Sequence, residues 1–254
     1  MLVSSSSGVR AGVLSVLLAA VLWGTTGTVR SFADASPLSV AAARIILGGA
    51  LLCLVARRGL ASVLTVPPGR LLLAAACLAV YHTAFFAAVA QAGVAAGSVL
   101  ALGSAPVFAA LFTGSPRRAV LVAGLSAGIL VFAATGCDPV GLVLALVTGV
   151  FNAGYAVAAG RLLRDGLSEP AVAASTFGLA GFLLAPVFAA TGPGWVLSPS
   201  GAAVALYLGV VTTAGGYLLY VRGLRTVSAA TATTVTLAEP AVAAFLGIVV
   251  LHEL

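Results

Sequence analysis

The stretch Ser228–Leu251, SAATATTVTLAEPAVAAFLGIVVL, decides how this chain is read. It holds one carboxylate, Glu239, inside an otherwise uncharged run long enough to cross a bilayer. A helix rises ~1.5 Å per residue, which sets Glu239 roughly 15 Å deep, near the midplane. A charge at that depth costs at least ~2.5 kcal/mol on insertion scales, so the side chain has to face a protein-lined or watery cavity and be protonated or paired. Pro240 follows it directly, removes one backbone donor and opens a kink where a cavity can form. The expectation is that the other helices enclose a central site at this depth.

Composition points the same way. The 254 residues are 61% hydrophobic and 7% charged, with a mean hydropathy of +1.20, against about 25% charged residues in an average soluble domain. This is the make-up of an all-α polytopic membrane protein. The net charge of +6 would suggest a nucleic-acid surface in a soluble chain, but all basic residues are Arg and fall singly or in pairs between apolar runs. They act as topology signals, and no nucleic-acid partner is expected. Cys53, Cys77 and Cys137 have no metal-ligand spacing and read as packing thiols, so no metal or other cofactor is called for. The apolar phase that begins near residue 11 runs past Trp23 to Val29, which favours an uncleaved first helix over a signal peptide.

Apolar runs bounded by Arg, Pro or Gly give nine spans, at about 11–31, 37–56, 70–91, 94–113, 118–136, 139–160, 170–190, 202–221 and 229–251. With the N-terminus cytoplasmic, the inner loops collect Arg10, Arg57, Arg58, Arg70, Arg117, Arg118, Arg161, Arg164, Arg222 and Arg225, while only Arg30 falls outside. Loops five spans apart carry opposite charge bias, as two five-helix units must when they insert with opposite topology. Short matches run in the same register: APVFAA at 105–110 with EPAVAA at 239–244, and Pro37 with Val40-Ala41-Ala42 against Pro170 with Val172-Ala173-Ala174. The division is therefore residues 1–136 for the first repeat and 137–254 for the second.

Leu22-Trp23-Gly24-Thr25, PLSVAAARIILG at 37–48, APVFAAL at 105–111 and Leu237-Ala238-Glu239-Pro240 through Leu251-His252-Glu253-Leu254 together resemble the EamA family of the drug/metabolite transporter superfamily. The resemblance implies ten helices in two inverted five-helix repeats around a central cavity, and the movement of small metabolites such as amino acids, sugars or drugs, often outward. It also implies a tenth helix that would begin near Leu254, and an acidic residue in the turn after the fourth helix, where this chain has Thr113-Gly114-Ser115-Pro116-Arg117-Arg118. A truncated frame and a naturally incomplete repeat, active or inactive, both stay open at this point.

Several polar or aromatic side chains reach similar depth from either face: Trp23, Tyr81, His82, Asn152, Tyr155 and Glu239. These are the candidate substrate-binding residues of a midplane site. Glu239 is in addition the candidate proton-coupling carboxylate, since intramembrane acids are rare without a role. His82 reads equally as a proton relay or as an imidazole satisfied across a helix interface. Arg44 is assigned to topology or packing, with anion binding as the alternative, and Trp195 to the interfacial aromatic belt. Gly124-Leu-Ser-Ala-Gly128 is a small-xxx-small face suited to close packing within the fold or in a homodimer.

No Gly-rich phosphate loop appears, so ATP is not the direct drive. One deep acid and one deep histidine do not make a catalytic pair, and no catalytic residues are assigned. The reading is a secondary transporter of the bacterial inner membrane, with a small-molecule substrate and the lipid bilayer as partners.

Overall fold

A computed structural model of the protein describes residues 6–92, 94–114 and 138–250. The expected fifth span, the Gly124–Gly128 face, Cys137 and the terminal residues 251–254 lie outside the described residues. The elements are α1 (Ser6–Gly24), α2 (Thr26–Arg30), α3 (Pro37–Val55), a 3₁₀ turn (Leu60–Thr65), α4 (Pro68–Ala92), α5 (Val94–Thr113), α6 (Pro139–Arg164) and α7 (Glu169–Ala190). A second 3₁₀ turn (Pro193–Leu197), α8 (Pro199–Leu206), a π-helical segment (Tyr207–Gly215), α9 (Gly216–Leu224), α10 (Ala229–Val235) and α11 (Ala238–Val250) complete the order. There is no strand among the described residues.

Local chemistry sets the helix starts. Ser36, Asp138 and Ser198 each precede a proline at the first helical position and accept a hydrogen bond from the backbone N–H of Ser39, Val140 and Gly201. The proline there forgoes a donor the helix would leave unpaired, and the cap satisfies another. α6 stops sharply: Gly166 adopts φ 97°, Gly166 N–H donates to Leu163 O, and Leu167 N–H donates to Leu162 O. Only glycine takes that backbone cheaply. Leu162 and Leu167, both buried, close the turn from beneath.

Six helical stretches among the described residues are long and apolar enough to cross a membrane: Ser7–Arg30, Pro37–Val55, Pro68–Ala92, Pro139–Arg164, Glu169–Ala190 and Pro199–Leu224. They match the expected first, second, third, sixth, seventh and eighth spans. The fourth is the shorter apolar helix Gly97–Thr113 within α5. Leu14, Leu18, Leu54, Leu72, Leu73, Phe182 and Leu206 are exposed on these helices, an outer surface that only an apolar surrounding satisfies.

Three spans differ from continuous helices. The first breaks at Thr25, whose hydroxyl donates to Leu22 O at 2.7 Å and draws the backbone out of register. The eighth widens into the π segment. The ninth splits between α10 and α11, because Pro240 cannot donate to Thr236 O and its ring would collide with that carbonyl. Glu239 N–H takes the place, donating to Thr236 O at 2.9 Å. The proline expected to kink this span thus acts one turn upstream of itself.

The largest helix contacts are α4 with α6, α3 with α7, α5 with α6 and α1 with α9; α3 also meets the π segment, and α4 meets α7. At one end of the bundle Arg70 Nη1 reaches Asp165 at 2.7 Å and Arg225 Nη1 reaches Glu169 at 2.6 Å. The helix ends tied there are those the arginine count grouped on one side. At the far end Trp195 Nε1 donates to Ser39 Oγ at 2.9 Å. Trp195 is therefore more than interfacial belt: it pins the second 3₁₀ turn to the start of α3.

Candidate functional site

Seven rings meet in the middle of the bundle, from five different helices. Trp23 ends α1, Tyr81 and His82 lie on α4, Tyr155 on α6, Phe177 on α7, and Tyr217 and Tyr220 on α9. Tyr217 is the hub. Its ring centroid lies 4.3 Å from Phe177, 4.5 Å from Trp23, 6.1 Å from Tyr155 and 6.1 Å from His82. Its hydroxyl and His82 Nε2 are 3.3 Å apart and share a hydrogen bond whose direction follows the imidazole tautomer. Tyr155 and Tyr220 stack at 6.4 Å, and Tyr81 lies against His82 at 4.4 Å. The ring pairs are tilted, edge-on or offset, as the aromatic quadrupole favours.

Polar anchors surround the rings. Trp23 Nε1 donates to Thr212 O at 2.8 Å, on the π segment where the helix changes register. Gly216 permits this approach, since a Cβ there would stand 2.6 Å from the indole nitrogen. The next threonine, Thr213, accepts a hydrogen bond from Arg44 Nε at 3.1 Å. The buried hydroxyls of Tyr155 and Tyr220 make no hydrogen bond of normal geometry among the described residues, although Thr176 is in electrostatic reach of the first.

Glu239 sits half-buried in the first turn of α11. The backbone of α1 comes close to it at Gly24, where a Cβ would stand 3.0 Å from Glu239 O. Neither Glu239 nor Arg44 forms an ion pair among the described residues.

Four of the six residues expected from the sequence, Trp23, Tyr81, His82 and Tyr155, thus come together in direct contact. Glu239 lies at the edge of the cluster, against Gly24 beside Trp23. Asn152 is half-buried on α6, one turn before Tyr155, and makes no hydrogen bond to the cluster among the described residues. Sequence reasoning missed Phe177, Tyr217 and Tyr220, and assigned Arg44 to topology or packing. Tyr217-Leu-Leu-Tyr220 was legible as two hydroxyls one turn apart deep in the eighth span, the same signal that drew attention to Tyr81 and His82.

The expected hollow is filled by these rings. None of the seven is more than 7% exposed, so they pack on one another rather than line open space. Surface depressions lie elsewhere, one of them against Leu73, Cys77, Phe112 and Phe151 on the flank of the bundle. This conformation closes the centre. Opening it requires the rings to separate along the helices that carry them.

A bundle of membrane-length helices with a buried arginine and buried hydroxyl groups at its centre, and a half-buried carboxylate at their edge, is the build of a multi-pass membrane transporter. The comparisons bear this out: residues 139–254 match the model of the EamA-like transporter family. The chain is also 35% identical over 264 residues to an uncharacterized transporter, YwfM, of Bacillus subtilis (strain 168), covering 95% of this chain and 86% of that protein. The protein belongs to the EamA-like transporter family. A solved crystal structure 21% identical to it superposes with a TM-score of 0.76, over 96% of this chain and 89% of the other, and shares its fold.

Proposed function

We propose that the protein is a secondary transporter that moves small amino acid-like or drug-like solutes outward across the bacterial inner membrane, with its N-terminus cytoplasmic. The halves 1–136 and 137–254 are read as repeats that rock against each other around the central cluster. The observation that carries this reading is the pairing of helices. Exchanging every span for the one five places along converts the contact of α1 with α9 into that of α6 with α4, and the contact of α3 with the π segment into that of α7 with α4, while α3 with α7 maps onto itself. The match to the family model opens at residue 139, where the second repeat is placed.

Transport proceeds by alternating access, without a chemical step on the solute. Trp23, Tyr81, His82, Tyr155 and Glu239 belong to the binding site in this reading, with Asn152 entering it only as α6 moves. Glu239, at a helix break and outside any ion pair among the described residues, takes up and releases the coupling proton. The test is solute flux into proteoliposomes under an imposed pH gradient. Glu239→Gln is expected to abolish the gradient-driven component and leave exchange of solute for solute. A variant that responds to the gradient as the parent does removes the coupling role.

A further inference from the structure

We infer that Arg44 is the anion-binding side chain of the central site, and that the solute presents a single carboxylate to it. The inference rests on the carrier reading above and adds the chemistry of its ligand. Arg44 stands in the middle of α3, only 5% exposed. A guanidinium at that depth is costly unless an anion or a set of acceptors meets it. Among the described residues, the one hydrogen bond that holds it runs from Nε to Thr213 Oγ1 at 3.1 Å, and no carboxylate lies within ion-pair distance.

Tethering by Nε fixes the plane of the guanidinium and leaves the two terminal nitrogens out of that bond. A planar fork of this kind matches a carboxylate through two parallel hydrogen bonds, as a lysine ammonium does not. Thr213 adjoins Thr212, whose carbonyl accepts from Trp23, so an anion bound to Arg44 lies beside the aromatic cluster.

Charge decides between anions. Glu239 lies against Gly24, the neighbour of Trp23, so a dianion at this cluster would set two negative charges against one cation with a carboxylate near by. A monocarboxylate with an apolar remainder fits both the fork and the rings. Because Thr213 lies on the π segment, a ligand that draws the guanidinium away also loosens the contact between α3 and the eighth span.

The experiment uses the full chain in lipid nanodiscs and the quenching of tryptophan fluorescence, with 3-phenylpropionate, the isosteric 3-phenylpropionamide and inorganic phosphate as probes. Charge-assisted hydrogen bonds predict at least about tenfold tighter binding of the acid than of the amide. Arg44→Gln should bring that ratio close to one, and Arg44→Lys and Thr213→Val should each lower it several-fold. Should Arg44→Gln fail to fold, the last two variants decide alone. Equal binding of acid and amide by the parent, binding of neither, a ratio that survives these substitutions, or phosphate displacing the acid overturns the proposal. Binding is read without flux, so acid-selective binding in a protein that moves nothing sinks the carrier reading and leaves the anion site standing.

Discussion

A glycine-to-alanine series on one helix interface tests the close packing that positions the site. Gly49 of α3 lies against the backbone of α7: an alanine there would set its Cβ 2.5 Å from Phe177 O and 2.8 Å from Phe177 C, where ordinary contact begins at 3.4 Å. Those are backbone atoms in the middle of a helix and cannot swing aside. The helices would have to part by roughly 1 Å, an overpacking that costs about 1–3 kcal/mol. Alanine's higher helix propensity offsets at most ~1 kcal/mol of this. Gly178, on the facing helix, is the contrast, since its Cβ would meet only Cys53 Sγ, at 2.7 Å, the end of a side chain that can rotate. Gly103 in α5 has nothing within 4 Å among the described residues and supplies the propensity term by itself.

The expected order of thermal stability in one detergent is Gly103→Ala at or above the parent, Gly178→Ala near it, and Gly49→Ala clearly below. Flux should fall more steeply than stability in Gly49→Ala, because α3 carries Arg44 and Phe177 supports Tyr217 at 4.3 Å. Melting of Gly49→Ala together with Gly103→Ala would show that α3 and α7 are not held at this distance, and the account of the ring cluster would fall with it.

Two further predictions concern the polar anchors and the ends of the bundle. Trp23→Phe removes the donor to Thr212 O and should cost about 1–3 kcal/mol, whereas Tyr220→Phe removes a hydroxyl that has no partner among the described residues and should be neutral or slightly stabilising; thermal melts in the opposite order would refute both assignments. Arg70 and Asp165 are 56% and 31% exposed, so Arg70→Ala should change stability by less than ~1 kcal/mol. It should nevertheless raise the labelling of a cysteine at position 162 from that end of the bundle, and unchanged labelling would deny the pair any part in closing it.

Helix positions were legible because their signals are local. Ser36-Pro37, Asp138-Pro139 and Ser198-Pro199 announce helix starts, and the apolar runs after them are long enough to cross a bilayer whatever they pack against. Depth was legible for the same reason, by counting residues from a boundary, and it drew attention to Trp23, Tyr81, His82, Tyr155 and Glu239. Facing was not. In a chain whose helices are rich in alanine and apolar nearly all round, no amphipathic stripe tells which side of α9 or α3 turns inward. Tyr217 and Tyr220 were therefore passed over, and Arg44 was counted from the end of its helix rather than by what it touches. Phe177 carries no polar atom, so depth alone could not distinguish it from the other phenylalanines.

Of the breaks in the helices only the one at Pro240 was legible, and together the breaks are what brings the site together. The break at Thr25 places its hydroxyl 3.1 Å from that of Tyr207, the first residue of the π segment. That segment receives Trp23 on Thr212 and Arg44 on Thr213. The break before Ala238 starts α11 with Glu239, against the end of α1 at Gly24. A broken helix in lipid is tolerated only where other groups satisfy its freed backbone, so each break needs a neighbour that can supply them. Here the carbonyl of Thr212 in the π segment is satisfied by Trp23, which stands beside the break of the first span. Moving α1 with respect to its neighbours must then disturb the hydrogen bond of Trp23 and the close approach of Gly24 to Glu239 together, the coupling that the proposed proton-driven carrier requires.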